Sequence, residues 1–483
     1  MKKIIILAVG VIFSFTAKAQ VSEQYPLLLS QYGLNGTANY ISRAGALGAV
    51  GGDITAASFN PAGLGLYLGN EMTIGSGLNF AFTTADYNGN KFNDDRTNYN
   101  FGNFGMVLNV NGGNGLFESG QIGFSFNQLK NYSNRINVAR TSLRTSYIST
   151  IMDNILYTDD LFYQSGVVWW DSASASLVSN FTSGSFDQYK TIETYGFLTS
   201  MDFTFSTNIN NIVFIGGAIG VPLFSYTQLE NLTEQRYLDN GANGRDLTDE
   251  YNFQKKTELN GTGANFKLGV ILQPVNWLRL GASVHTPTYY SIEDDYYARV
   301  DNAGYLDNYR GSADGTGETL LYDIQTPFRF IGSLALIMGT GESKVKGTIS
   351  ADYEYVNYSA MKFRFNDNGS AFNETQVNNN INSIYQPAHS LRLGGELKTG
   401  MLALRAGYAM IGNPYAKIEN DASQQYITGG IGLKGKHCFL DLAYAYTLTG
   451  DMRLNRLYTA DTYNPTSLSH NESLIQLTFG VRF

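Results

Sequence analysis

One cysteine, nine prolines and few charges set the first limits on this chain of 483 residues. A lone Cys438 cannot form an internal disulfide, so a disulfide-stapled scaffold is excluded. On strand parity it lies with Leu440 and Leu442, which reads as an inert apolar position and not as a nucleophile. Charged residues are 15% of the chain, against roughly 25% in ordinary globular proteins. The net charge is −8 and no basic block occurs, which argues against a nucleic-acid partner. After Ala19 no run of 18 apolar residues exists, so helical membrane spans are not expected. His285, His389, His437 and His470 are scattered, and none has the spacing of a metal motif. No metal, no cofactor and no catalytic constellation is therefore expected. The Gly-rich stretch GAVGGD lacks the lysine and hydroxyl residue of a phosphate-binding loop.

The abundant residues point elsewhere. Tyr (33) and Phe (29) bring the aromatic share to 13%, and glycine numbers 52. Low charge, many aromatics and many glycines suit a barrel with aromatic girdles and close-packed strands. A large soluble β-sandwich would share that composition. Lys2 and Lys3, the apolar run Ile4 to Phe15 and Ala17-Lys18-Ala19 have the form of a cleavable export signal over residues 1–19. At the other end, Ser473, Ile475, Leu477, Phe479, Val481 and Phe483 share one face of a strand. Leu474, Gln476, Thr478, Gly480 and Arg482 share the other, as expected with lipid on one side and a watery lumen on the other. A terminal aromatic residue resembles the signal read by the barrel-assembly machinery of bacterial outer membranes.

From residue 70 the chain is a succession of fourteen alternating runs, near 70–84, 100–111, 119–131, 192–207, 211–225, 258–273, 277–290, 322–338, 344–365, 386–398, 401–412, 425–434, 437–448 and 472–483. Short links (NINN, QPVN, GTGES, KTG, KGK) alternate with long polar ones, of which 132–191 is the longest. Short turns at one end and long loops at the other are the pattern of an outer-membrane barrel. A sandwich has no reason to keep its long loops at one end. An even strand count predicts both termini on the periplasmic side. A cation facing lipid at mid-membrane costs about 2–4 kcal/mol. Arg279, Arg329, Asp352, Glu354, Arg392, Glu396, Arg405, Asp441 and Arg482 must therefore face the lumen. Buried charges need partners, so Asp352 and Glu354 are expected to bond luminal arginines or backbone N–H groups.

Residues 20–69 do not alternate, and RAGALGAVGGDITAASFNPAGLGLYLG is rich in Gly and Ala. Ahead of a wide barrel, such a segment is expected to plug the lumen. This run resembles the N-terminal hatch of the FadL/TodX family of outer-membrane transporters of long-chain fatty acids and other hydrophobic compounds. The stretches LGVILQPVNWLRLGASVHTPTYYSI and TPFRFIGSLALIMG followed by ADYEYVNYSAMKF are similar to the family's middle strands.

The resemblance implies an all-β, 14-stranded antiparallel transmembrane β-barrel over residues 70–483, with a Gly/Ala-rich hatch over 20–69. It implies passive, hatch-gated passage of hydrophobic small molecules, above all long-chain fatty acids, across the outer membrane. Aromatic hydrocarbons by the same route are the alternative, as is a receptor barrel binding haemin or another partner. Outer-membrane lipids would surround a monomer. By resemblance, Asn60, Pro61 and Ala62 act in gating beside a kinked barrel strand. Within loop 132–191, Ile148, Ile151 and Ile155 have helical spacing, and Phe162, Tyr163, Trp169 and Trp170 are candidates for ligand capture.

Overall fold

The computed structural model describes residues 22–87, 90–111, 117–152, 160–241, 244–303, 310–317, 319–339, 343–365, 373–417, 421–449, 452–454 and 466–483. The expected leader and Ile155 lie outside these residues. Fourteen strands close into an antiparallel barrel. They are β1 (Glu71–Tyr87), β2 (Asn90–Asn111), β3 (Phe117–Asn131), β4 (Ser185–Ile209), β5 (Val213–Asp239), β6 (Arg245–Val275) and β7 (Leu278–His285). The second half comprises β8 (Arg329–Met338), β9 (Val345–Asn357), β10 (Pro387–Thr399), β11 (Leu402–Ile411), β12 (Gln424–Lys434), β13 (Cys438–Thr449) and β14 (Thr466–Arg482). The last strand closes on the first, with Met72 opposite Val481. At this seam Arg482 Nε donates to Glu71 Oε2 at 2.8 Å.

Alternation sets the two faces. Ile475, Leu477, Phe479 and Val481 are exposed outward, while Leu474, Gln476 and Thr478 are buried toward the lumen. Leu404, Tyr408 and Met410 of β11 face out, and Arg405 faces in. Closure leaves no unpaired edge for hydrocarbon to meet. Replacing lipid-facing Leu334 of β8 with Arg is expected to cost about 2–4 kcal/mol, read from urea unfolding in lipid vesicles.

Three expected runs are broken. The run 322–338 parts at Thr326-Pro327-Phe328, 277–290 at Thr286-Pro287-Thr288, and 344–365 at a short 3₁₀ turn, Tyr358–Ala360. Proline has no N–H for the ladder. Threonine side chains substitute: Phe266 N donates to Thr286 Oγ1 at 3.0 Å and Thr288 N to Thr326 Oγ1 at 2.8 Å. In β5, Pro222 falls where the ladder to β6 skips from Gly220 opposite Asn265 to Leu223 opposite Thr262.

The long connections are also corrected. Loop 132–191 opens with a strand, Asn134–Leu143, laid along β4, which itself begins at Ser185. Strands β5 and β6 run for 27 and 31 residues, so much of 226–257 is wall. Strands Tyr289–Ala303 and Arg310–Thr316 occupy 291–321. Above the bilayer the outer face no longer needs apolar residues, so the period-2 signal fades while the ladder continues.

The segment before β1 fills the lumen with four short helices: α1 (Tyr25–Ser30), α2 (Ala38–Ser42), α3 (Ile54–Phe59) and a 3₁₀ helix, Pro61–Leu66. Asp53 caps α3, accepting from Thr55 N and Ala56 N, and also accepts from Thr37 and Asn39. This ties two hatch segments together. Glu23 O accepts from Tyr385 OH, in the connection between β9 and β10. The first described residues therefore lie at the end with the long connections. Phe483 N donates to Asn70 O at the short-turn end. Ser22 and Phe483 thus lie toward opposite ends of the barrel. The hatch must traverse the lumen to reach β1 from its entry point.

Candidate functional site: hatch, wall and mouth

One side of the hatch is tied to the barrel by charge. Arg43 of the hatch pairs with Glu396 at 2.8 Å, and Glu396 also accepts from Arg405 at 2.7 Å. Arg405 in turn bonds Asp441 at 2.7 Å. Higher in the lumen, Glu354 accepts from both Arg329 and Arg392. Arg329 also donates to Ser30 O at the end of α1. Asp352 accepts from Gly48 N at 2.9 Å, and Arg279 donates to Val50 O at 2.8 Å. Of the nine charges predicted to be luminal, eight thus meet the hatch or each other, and Arg482 pairs with Glu71 at the seam. Strand parity alone predicts that they face inward; their partners come partly from the hatch and partly from neighbouring wall strands.

The opposite side is docked by shape. Asn60 Nδ2 donates to Gly48 O at 2.8 Å, and its Oδ1 accepts from Ala62 N at 3.2 Å, which closes the turn. Pro61 and Asn60 lie directly on Gly216 of β5 and Gly269 of β6, which face each other across the ladder. A Cβ at Gly269 would come within 2.0 Å of Asn60 Oδ1. His285 Nε2 and Ser283 Oγ donate to Phe59 O just before the turn.

A wall interruption lies elsewhere. The β2–β3 ladder runs only from Asn111 opposite Ser119 to Asn103 opposite Asn127. Above it, β2 stays with β1 as far as Asn90. Strand β3 instead follows β4, with a register shift between Gln128 and Lys130. The two ribbons therefore fork. The hatch fills the fork: Gly33 N donates to Leu129 O at 2.9 Å. Lower down, Asn127 receives a bond from Thr55 and donates to Ser58. Resemblance placed the Asn60–Ala62 turn beside a kinked strand. The register shift of β3 faces residues 33–35 and α3, while the Asn60–Ala62 turn rests on β5 and β6. Nothing in the Asn-Pro-Ala tripeptide signals which wall strands receive it.

The mouth at the long-connection end is apolar. Leu27 and Leu29 of α1 pack with Leu129, Tyr132, Phe224, Tyr226, Tyr290 and Tyr322. Above the apolar belt, Asp294 Oδ2 accepts from Tyr322 OH at 3.0 Å. Burial pushes its carboxyl up to about 6. A folded value above the unfolded one means stability fully present at low pH and lost as pH rises through about 6. Asp294→Asn is therefore expected to remove its share of that loss, and the gap between melting curves at pH 5 and pH 8 should narrow.

The four aromatic candidates do not form one cluster. Phe162, in α5 (Leu161–Gln164), is buried against Phe253, Tyr251 and Tyr147, the last in α4 (Tyr147–Ile151). Tyr163 is half-buried. Trp169 and Trp170 stand exposed on a small hairpin, Trp169–Asp171 with Ser176–Val178. Helical spacing could not separate a residue that seals the loop core from one that faces solvent.

No protein-family model and no curated protein matches the sequence. Among solved structures, the chain is similar to a Pseudomonas aeruginosa FadL homologue, at TM-score 0.54 and 13% identity over 94% of this chain and 100% of that one. It is likewise similar to the P. putida toluene transporter TodX, at TM-score 0.52 and 13% identity over 93% and 99%. Fourteen strands and a closed seam agree with that likeness, and the chain has the FadL/TodX fold.

Proposed function

We propose that the protein is a passive channel for hydrophobic and amphiphilic molecules in a bacterial outer membrane, gated by its N-terminal hatch. The observation that carries this reading is the fork between β2 and β3, filled by hatch residues and lying below an apolar mouth. A general pore would have a hydrated lumen; here Leu29, Ile41, Leu47 and Leu64 of the hatch are fully buried inside it. A long-chain ligand would enter among the aromatic residues of the mouth, held by burial at about 0.8 kcal/mol per CH₂. Displacement of residues 33–35 and α3 would open the fork sideways into the bilayer. Long-chain fatty acids and alkylbenzenes are the two ligand classes this route serves. The chemistry of a haemin site needs an axial ligand; among the four histidines, His285 is engaged with the hatch backbone.

A disulfide lock tests the gate. An ideal Cβ at Gly105 of β2 would lie 3.1 Å from Ile54 Cβ of α3, a few tenths of an ångström inside the usual disulfide range. In an Ile54→Cys/Gly105→Cys variant carrying Cys438→Ser, oxidation is expected to abolish uptake of labelled oleate and ethylbenzene into vesicles. Reduction should restore it. Equal uptake in both redox states would rule out movement of α3.

A further inference from the structure

Beside the fork lies a cavity of about 60 Å³ with a mainly polar lining, to which Leu34, Ala445 and Leu474 add apolar surface. Asn35 comes from the hatch, Asn79 from β1, Asn100 from β2, Lys130 from β3, Gln424 from β12 and Glu472 from β14. A polar chamber in a hydrophobic channel needs a reason. Two of its acceptors are orphaned. Asn79 and Asn100 are 4% and 1% exposed, and the Oδ1 atom of each is buried without a hydrogen-bond partner. The orientation of Asn79 is fixed from the other end. Asn79 bonds Glu472, and a carboxylate only accepts, so the Asn79 amide nitrogen is committed to it. The Asn100 amide donates to Asn35 Oδ1 at 3.1 Å and Gln476 Oε1 at 3.2 Å.

Both charge signs line the chamber. Glu472 accepts from His470 Nε2 at 2.7 Å, and the Lys130 ammonium lies 5.5 Å from the Tyr132 ring centroid. A carboxylate entering here would meet Glu472 as well as Lys130, and would bring no proton for either orphaned oxygen. A buried acceptor left unpaired is destabilising, because it has lost its water without gaining a donor. A group with O–H or N–H donors satisfies both oxygens. The chamber is too small for a hydrocarbon chain, but Leu129 and Tyr132, the neighbours of Lys130 and Asn131, belong to the apolar mouth.

We propose that this chamber is a head-group subsite for an uncharged, hydroxyl- or amide-bearing amphiphile, with the tail lying along the aromatic mouth. The proposal rests on the channel reading above and narrows its substrate class. The test is equilibrium binding of radiolabelled 1-monooleoylglycerol, oleate and ethylbenzene to the full-length barrel in nanodiscs. Monooleoylglycerol is expected to bind about thirtyfold or more tighter than oleate, the worth of two satisfied buried acceptors. Asn79→Leu and Asn100→Leu should each remove one acceptor's share of that preference, about fivefold or more, and leave oleate binding unchanged. Heat-modifiable gel mobility reports that each variant is folded. Lys130→Met should leave monooleoylglycerol binding intact. If Lys130→Met instead lowers oleate affinity tenfold and oleate is the tighter ligand, the chamber takes carboxylates and the proposal is wrong. If the two lipids bind equally and all three variants are silent, the chamber holds water only and the proposal is wrong. Binding of none of the three ligands would instead overturn the channel reading itself.

Discussion

Replacing Arg405 with Leu is expected to destabilise the barrel by about 3–5 kcal/mol, the cost of stranding a buried partner charge. Arg405 has no exposed side-chain surface and bonds Glu396 and Asp441 at 2.7 Å each. Glu396 keeps Arg43 after the substitution, but Asp441, itself 1% exposed, is left with no ion pair among the described residues. The double variant Arg405→Leu/Asp441→Leu should recover most of the loss, because no unpaired charge remains. Urea unfolding in vesicles, followed by tryptophan fluorescence, measures both. A loss below about 1 kcal/mol in the single variant, the range of a surface pair, would show that water reaches the site.

Gly269→Val is expected to undock the hatch turn without unfolding the wall. Its Cβ would lie 2.0 Å from Asn60 Oδ1, and a Cβ at the facing Gly216 would lie 2.4 Å from the Pro61 carbonyl carbon. Neither contact can be relieved by rotating a side chain of the barrel. Valine favours strand geometry, so the ladder itself should persist. Overpacking of about 1–3 kcal/mol then bears on the docked hatch, which raises the undocked fraction by about 5- to 150-fold. Ion leak across a planar bilayer should rise accordingly. Gly332→Val is the control, because a Cβ there meets nothing within 4 Å. If Gly269→Val leaks no more than this control, the Asn60–Ala62 turn does not seal the lumen. The two variants probe opposite sides of the hatch, one held by charge and one by shape.

How much was legible depended on whether lipid constrained the residue. Ile475, Leu477 and Phe479 had to be apolar because they face hydrocarbon, and their alternation shows it directly. Arg405 and Asp441 had to face inward for the same reason, so their luminal placement could be read before any partner was known. Where the constraint ended, so did the signal. Strand Asn134–Leu143 and the upper halves of β5 and β6 read as loop because water bathes their outer face. Trp169 and Trp170 share sequence neighbourhood with Phe162, yet Phe162 is sealed in a core and the two tryptophans are exposed.

By itself the sequence determined the number of strands, the face each residue takes, the seam that Phe479 and Val481 complete, and the presence of a Gly/Ala-rich plug. Those are local consequences of a two-residue period set against a bilayer that accepts no charge and no open edge. Only the tertiary structure decided which wall the hatch turn rests on, where the β2–β3 ladder forks, and that Asn79, Asn100 and Glu472 meet in one chamber. Those residues come from the first, second and last strands, and nothing local records their meeting. Closure of the barrel brings β14 beside β1, and so carries Glu472 to within reach of Asn79.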